Sequence, residues 1–268
     1  MKQLILFSLA SVIALSSCKQ KVKETVRSDF MKYYDQYHVD GSFALLDQNN
    51  YSWVFYHKEQ FKRPFIPAST FKICNSLIGL ETGVIRDENF VIPWDGKIHQ
   101  NQAWNQDQDL KSAFKNSTVW YYQELARRVG GQQMKFWLEK AAYGNADTAG
   151  GIDKFWLTGN LRITPEQQIG FLKRLYENKL PFSQRSMDIV KRIMIAKDTL
   201  NYVVRVKTGW GKQQGKNIGW YVGYVEKAGN VYYFANCIQT ADSNNTEFPA
   251  ARIKIVYQIL TDLKIIAK

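Results

Sequence analysis

Ser69 and Lys72 place a hydroxyl and an amine three positions apart in the tetrad Ser69-Thr70-Phe71-Lys72. An apolar run of helical character begins at the same point, and residues i and i+3 of a helix share one face. The sequence therefore predicts that this hydroxyl and this amine are neighbours at a helix N-terminus, whose dipole favours developing negative charge. A serine beside a base is what nucleophilic catalysis needs. The tetrad alone is weak support, so the prediction depends on matching parts elsewhere.

Further motifs follow in order along the chain. They are Ser117-Thr118-Val119 before a predicted helix, Tyr143-Gly144-Asn145 after another, Phe155-Trp156-Leu157 in a loop, and Lys207-Thr208-Gly209-Trp210 at the end of a predicted strand. Each motif also has a purely structural interpretation. Ser117 could cap a helix, Trp156 could fill a core, and Gly209 could serve a turn.

Together these motifs resemble the serine penicillin-recognising enzymes, and specifically the class D, oxacillinase-type β-lactamases. The resemblance covers essentially the whole mature chain, including Trp94-Asp95-Gly96 and Trp104-Asn105-Gln106-Asp107. Class A enzymes share the S-x-x-K and K-T-G signatures, but here Val119 stands where the relatives place Asn. Glu166 opens a predicted helix, and we interpret it as favourable N-terminal charge rather than as a deacylating base.

The resemblance implies a catalytic set for opening a β-lactam ring. Ser69 is the nucleophile, Ser117 relays a proton toward the leaving nitrogen, and Lys72 is the general base. A protonated lysine cannot act as a base, so either burial lowers its pKa or the neutral amine reacts with carbon dioxide to form a carbamate. The family uses the carbamate, which implies no conventional cofactor and a carboxylated Lys72. The catalytic set comprises Ser69, Lys72, Ser117, Lys207 and Trp156.

The resemblance also implies a substrate-binding set. Lys207, Thr208 and Arg252 hold the substrate carboxylate, although Arg252 could instead be a surface cation. The backbone N–H groups of Ser69 and Trp210 stabilise the oxyanion. Trp156 donates its indole N–H to the carbamate, between apolar walls. The set comprises Thr208, Gly209, Trp210, Arg252, Val119, Leu157, Tyr143 and Asn145.

The N-terminal sequence indicates a targeting segment. Lys2 precedes an apolar run over residues 4–15 that is too short to span a bilayer. Ser16-Ser17-Cys18 resembles the end of a bacterial lipobox, which implies cleavage before Cys18 and lipidation of its sulfur; ordinary signal cleavage is the alternative. We therefore expect a signal peptide over 1–17, a lipid-anchored tether over 18–30, and an exported, periplasmic, membrane-anchored protein.

Predicted strands lie near both ends of the chain, and predicted helices lie between them. The strands cover 42–47, 51–57, 202–207, 218–226 and 231–239, and helices begin after Ser117, Thr164 and Ser183. This order predicts an α/β (α+β) protein with an antiparallel sheet flanked by terminal helices. Residues 31–65 and 200–268 would form the sheet lobe and 66–199 an inserted all-helical lobe, as in β-lactamases and D,D-peptidases.

Composition narrows the possible partners. The net charge of +12 comes from dispersed Lys and Arg side chains, which argues against a nucleic-acid surface and is compatible with an anionic substrate. No spacing of His, Cys and carboxylates indicates a metal site. Cys74 and Cys237 are either two buried thiols or a disulfide.

The sequence leaves two further questions open. The protein could be a monomer or a homodimer, and its alternative functions are a penicillin sensor domain and a D,D-peptidase.

Overall fold

The computed structural model describes residues 22–267, and a seven-stranded sheet is its centre. The strands lie in the order β1-β3-β2-β7-β6-β5-β4, and all neighbours are antiparallel except the parallel pair β1 and β3. Their bounds are β1 Lys23–Val26, β2 Asp40–Asp47, β3 Ser52–Tyr56, β4 Ile195–Asp198, β5 Val203–Gln213, β6 Lys216–Lys227 and β7 Asn230–Thr240.

Helices cover both faces of this sheet. Their bounds are α1 Met31–Asp35, α2 Lys72–Glu81, α3 Leu110–Asn116, α4 Val119–Val129, α5 Gly131–Lys140, α6 Pro165–Tyr176, α7 Gln184–Ile193 and α8 Phe248–Asp262. Helices α1 and α8 cover one face, and the lobe built from α2 to α7 covers the other. Within residues 22–267, no helix is both long enough and apolar enough to cross a bilayer.

The central strands divide their side chains between two hydrophobic cores. On β6, Trp220, Val222 and Tyr224 face the helical lobe, whereas Tyr221 and Val225 pack beneath α8. Successive side chains of a strand point to opposite faces, so one strand contributes to both cores. The turn that carries Ser69 contacts β5, the strand that carries the Lys207 motif.

The predicted fold class is confirmed, because strands from both ends of the chain join one mainly antiparallel sheet with a helical lobe inserted between them. The prediction that residues 18–30 form a tether is wrong for its second half. Lys23–Val26 pairs with β3 through its backbone alone, and its side chains are exposed. A polar composition therefore concealed an edge strand. The signal peptide and Cys18 lie outside the described residues.

Other boundaries also differ from the prediction. Helix α7 ends at Ile193, and Ile195 already belongs to the edge strand β4, so the sheet begins before residue 200. Ser117 is not the N-cap of α4. It ends α3 in the left-handed region at φ 54°, and Thr118 occupies the N-cap position. Cys74 and Cys237 are separate buried thiols.

Candidate active site

Ser69 lies in a tight 3₁₀ turn, Ala68–Phe71, which leads directly into α2. Two hydrogen bonds hold this turn: the Ala68 N–H donates to the Trp156 carbonyl at 3.1 Å, and the Thr70 hydroxyl donates to the Pro67 carbonyl at 2.8 Å. Ala68 has a positive φ of 48°, a conformation that costs energy for a residue with a Cβ. The turn thus keeps Ser69 partly exposed at the start of a buried helix.

Lys72 is the first residue of α2, and its Nζ donates to the Ser69 Oγ at 2.7 Å. The side chain is fully buried. Burial, assisted by the positive charge of Lys207, lowers the pKa of Lys72 well below its ordinary value. An uncharged amine can also accept a proton across the same short contact. The geometry therefore places a buried amine beside a hydroxyl, as the spacing in sequence predicted.

Trp156 packs beside the turn that leads to this amine. It is fully buried, and its ring lies 5.3 Å from that of Phe71, the residue before Lys72. Its indole N–H is buried and has no hydrogen-bond partner. Leaving a buried donor unpaired costs about 1–3 kcal/mol, so the site suits an acceptor that is not part of the polypeptide. Leu157 is partly buried against the same core, and Val119 is half-buried at the first position of α4.

Lys207 approaches from β5 and is only 4% exposed. Its Nζ lies 5.4 Å from the centre of the Phe114 ring and 3.3 Å from the Thr208 hydroxyl. Burial and the nearby Arg252 lower the pKa of Lys207 to about 7. Phe114 lies on α3, and the Ser117 N–H donates to its carbonyl at 3.2 Å. The end of α3 therefore brings the Ser117 motif beside the Lys207 motif.

Gly209 lets β5 touch the turn that carries Ser69. A Cβ at this glycine would lie 2.9 Å from the Pro67 carbonyl oxygen and 3.1 Å from the Thr70 Cγ2, too close for any side chain. Arg252 fixes the same strand from the opposite side, because its Nη1 donates to the Gly209 carbonyl at 2.6 Å. Trp210 follows and remains 48% exposed.

The cationic side chains of the site have no carboxylate partner within the described chain. Burial lowers the pKa of Arg252 to about 10, and the remaining influences on Lys72 and Lys207 are repulsions between cations. Charges that are buried without a partner are unfavourable unless a ligand compensates them. The arrangement therefore favours an anionic ligand beside the Ser69 hydroxyl. Residues 22–267 contain no cluster of potential metal ligands.

Comparison with known proteins gives the family. Residues 13–261 match the model described as "Transpeptidase: Penicillin binding protein transpeptidase domain". The chain is 37% identical over 260 residues to the β-lactamase OXA-48 of Klebsiella pneumoniae, across 97% of this chain and 96% of that protein. The solved class D β-lactamase of Sebaldella termitidis has a TM-score of 0.88 at 37% identity, over 92% of this chain and 100% of that one.

The chain belongs to the class D β-lactamases. A structure described as the C-terminal domain of the Bacillus licheniformis BlaR penicillin-receptor is also similar. Its TM-score is 0.85 at 32% identity, and the alignment covers 92% of this chain and 99% of that domain. The same fold therefore also occurs in a receptor domain.

Two residues assigned to substrate binding in this class D enzyme have structural roles instead. Tyr143 is 1% exposed, and its ring packs 5.5 Å from Phe71, so the substrate cannot reach it. Asn145 uses both ends of its side-chain amide within a loop. Its oxygen accepts from the Arg162 N–H at 2.9 Å, and its nitrogen donates to the Asn160 carbonyl at 3.0 Å. Tyr143 therefore packs behind the Ser69 turn, whereas Asn145 holds a surface loop.

Sequence reasoning missed two residues that contact this class D site. Phe114 lies against the Lys207 amine, and Gln168 donates to the Thr70 hydroxyl at 2.8 Å. Neither residue belongs to a recognised motif. Phe114 is an apolar residue of α3, so its type alone does not mark it as part of a site. The one available signal for Gln168 was a polar residue at an inward-facing position of an amphipathic helix.

The lowered pKa of Lys207 predicts how its replacement alters stability with pH. The unfolded chain binds this proton up to about pH 10.5, whereas the folded protein releases it near pH 7. The side chain therefore opposes folding most strongly below pH 7, and the penalty fades as the pH rises toward 10.5. We expect Lys207→Met to raise the free energy of unfolding by about 1–4 kcal/mol at pH 6 and by less at pH 9.

Urea unfolding at both pH values measures this difference. The matched control is Lys212→Met, which replaces an exposed lysine of the same strand and should show no such dependence on pH. A gain from Lys207→Met that is equal at pH 6 and pH 9 would contradict the buried-charge explanation.

Proposed function

We propose that this protein hydrolyses the β-lactam ring of penicillin-type antibiotics through an acyl-enzyme on Ser69, and thereby gives antibiotic resistance. The observation that carries the proposal is the 2.7 Å contact between the Ser69 hydroxyl and the buried amine of Lys72. Membership of the class D family supports it, because the relatives that this chain matches are named β-lactamases.

Each side chain has a defined task in this reaction. The Ser69 oxygen attacks the lactam carbonyl while its proton passes to the base at Lys72. The N–H groups of Ser69 and Trp210 stabilise the oxyanion. The first belongs to the turn before α2, and the second belongs to β5, which touches that turn at Gly209. Lys207, Thr208 and Arg252 bind the substrate carboxylate, and Ser117 passes a proton to the departing nitrogen. Water then releases the product, activated by the same base.

We further propose that the Lys72 amine carries a carbamate formed with carbon dioxide. Its burial and lowered pKa supply the neutral amine that this addition requires, and the unpaired indole N–H of Trp156 supplies a donor for the new oxygens. The carbamate would be an anionic base, whereas the unmodified amine of Lys72 could act only as a neutral base.

We also propose that the protein is exported and is anchored in the periplasm through a lipid on Cys18. The apolar run over residues 4–15 and the Ser16-Ser17-Cys18 sequence support this proposal.

A penicillin-receptor domain is the second candidate, because the BlaR domain shares the fold. Turnover distinguishes the two functions. We expect the wild-type protein to hydrolyse many equivalents of nitrocefin per molecule, and Ser69→Ala to lose at least about 10³-fold in activity. Release of a single equivalent followed by a stable adduct, detected by mass spectrometry of the intact protein, would favour the receptor. Equal turnover by the wild type and Ser69→Ala would contradict the assignment of the nucleophile.

Bicarbonate dependence tests the carbamate. We expect turnover at mildly acidic pH to fall when bicarbonate is removed and to return when it is added. Trp156→Phe keeps the ring but removes the N–H. It should raise the bicarbonate concentration needed for half-maximal activity by about 10- to 100-fold, since a hydrogen bond to a charged group contributes about 1.5–3 kcal/mol.

Trp137→Phe is the matched control for this experiment. Trp137 also has a buried, unpartnered indole nitrogen, but it lies on α5 and stacks on Phe182. Its replacement should leave the bicarbonate dependence unchanged. A wild-type rate that does not respond to bicarbonate, or an equal shift in both Trp variants, would contradict the proposal.

A further inference from the structure

The turn that presents Ser69 is held by a buried polar chain that reaches into another part of the helical lobe. Gln168 of α6 donates from Nε2 to the Thr70 hydroxyl at 2.8 Å, and that hydroxyl donates to the Pro67 carbonyl at 2.8 Å. Thr70 is fully buried, and Gln168 is 1% exposed. The two hydrogen bonds run in one direction, so each polarises and strengthens the other in a dry environment.

This chain fixes the orientation of the Thr70 side chain. The hydroxyl could turn in several directions, but accepting from Gln168 while donating to Pro67 selects one rotamer. That rotamer places the Thr70 Cγ2 against β5, at 3.1 Å from the position that a Cβ on Gly209 would take. The methyl group of Thr70 therefore acts, together with the Pro67 carbonyl oxygen, as the spacer between the Ser69 turn and the strand.

The spacer lies between the two expected oxyanion donors. The Ser69 N–H belongs to the turn, and the Trp210 N–H follows Gly209 on the strand. The distance between turn and strand therefore sets the separation of these donors, and each donor must lie about 2.7–3.1 Å from the oxyanion to be effective. The turn contains Ala68 at a positive φ, so its geometry depends on outside support.

Tyr143 completes the surroundings of this polar pair. Its hydroxyl makes no hydrogen bond of standard geometry, although Thr70 and Gln168 lie near enough to lower its pKa against the rise that burial causes. Its ring packs on Phe71 and Phe171. Gln168 is therefore the side chain that, within the described residues, orients the Thr70 hydroxyl through a hydrogen bond.

We propose that Gln168 is a positioning residue for acyl transfer, and that it acts through Thr70 to hold the Ser69 turn at the correct distance from β5. This inference rests on the proposed function, because it concerns the oxyanion stabilisation of that same reaction. Gln168 does not touch the substrate. Its effect should be on the rate of acylation rather than on substrate binding.

Gln168→Leu and Thr70→Val test the proposal, since each removes one link of the chain and retains a side chain of similar size. We expect each variant to lower the acylation rate constant of Ser69, measured by stopped flow with a penicillin at saturating concentration, by about 10- to 100-fold. The substrate dissociation constant should change by less than about threefold. The double variant should be no slower than the more impaired single variant, because both act through one network.

Gln167→Ala is the matched control. Gln167 is the neighbouring exposed residue of α6, and its side chain completes the capping box with Thr164. Its replacement should lower Tm by about 2–4 °C and leave the acylation rate constant unchanged at a temperature well below unfolding. If the role of Gln168 is only structural, Gln168→Leu should likewise lower Tm and leave the acylation rate constant unchanged.

The outcomes separate the possible failures. Acylation of Gln168→Leu and Thr70→Val at the wild-type rate, with a lowered Tm only, would overturn the positioning role. Multiplicative losses in the double variant would also overturn it. If Gln168→Leu does not fold, the acylation rate constant of Thr70→Val decides whether the positioning role holds. Failure of the wild-type protein to become acylated would instead refute the proposed function.

Discussion

The structure depends on a lysine amine that is buried beside a serine hydroxyl. No carboxylate lies beside this amine, within the described residues, to stabilise its protonated form. Lys72 Nζ lies 2.7 Å from Ser69 Oγ, and the influences on its pKa are burial and a second cation. Both lower the pKa, so the amine is available as a base or as a nucleophile toward carbon dioxide. An acidic neighbour would stabilise the ammonium form and remove this reactivity. The absence of such a neighbour among the described groups around Lys72 is thus a chemical requirement of the site.

The rest of the fold keeps that amine dry and brings the other groups to it. Helix α2 is buried along nearly its whole length inside the helical lobe, where it packs against α4 and α7. Strand β5 supplies Lys207 and the close approach at Gly209, and α8 supplies Arg252, which binds the strand through the Gly209 carbonyl. Three segments distant in sequence therefore meet at one edge. Because the unpaired cations are partly desolvated, an anionic substrate gains more from binding there than it would at an exposed surface.

The architecture could be predicted from the sequence, and so could the site residues that local spacing or a motif identifies. Ser69 and Lys72 are about one helical turn apart, and the Lys207 motif follows an alternating strand pattern that is visible in the sequence. The prediction ended this strand at residue 207, whereas β5 continues through the motif to Gln213. The failures have different causes. Strand β1 pairs through its backbone, and three of its four side chains are polar, so no apolar alternation marks it. Ser117 resembled a helix cap because a serine before a helix usually is one, but its left-handed conformation depends on how α3 ends.

Long-range contacts explain the remaining differences. Tyr143 follows a helix and precedes a glycine, which is compatible with an exposed loop, yet tertiary packing buries it behind Phe71. The pairing of Gln168 with Thr70 joins residues that are 98 positions apart. No periodicity or propensity encodes such a contact, because a buried polar pair is specified by the complete packing around it. The residues that support the site are therefore harder to predict than the residues that perform the chemistry.

The charge and reactivity of Lys72 can be observed directly by NMR spectroscopy with ¹³C-labelled bicarbonate. The wild-type protein should show one protein-bound carbamate resonance at neutral pH, which disappears on acidification and is absent in Lys72→Met. A wild-type spectrum without such a resonance, or a resonance that persists in Lys72→Met, would contradict the view that a dry, uncharged amine at this position captures carbon dioxide.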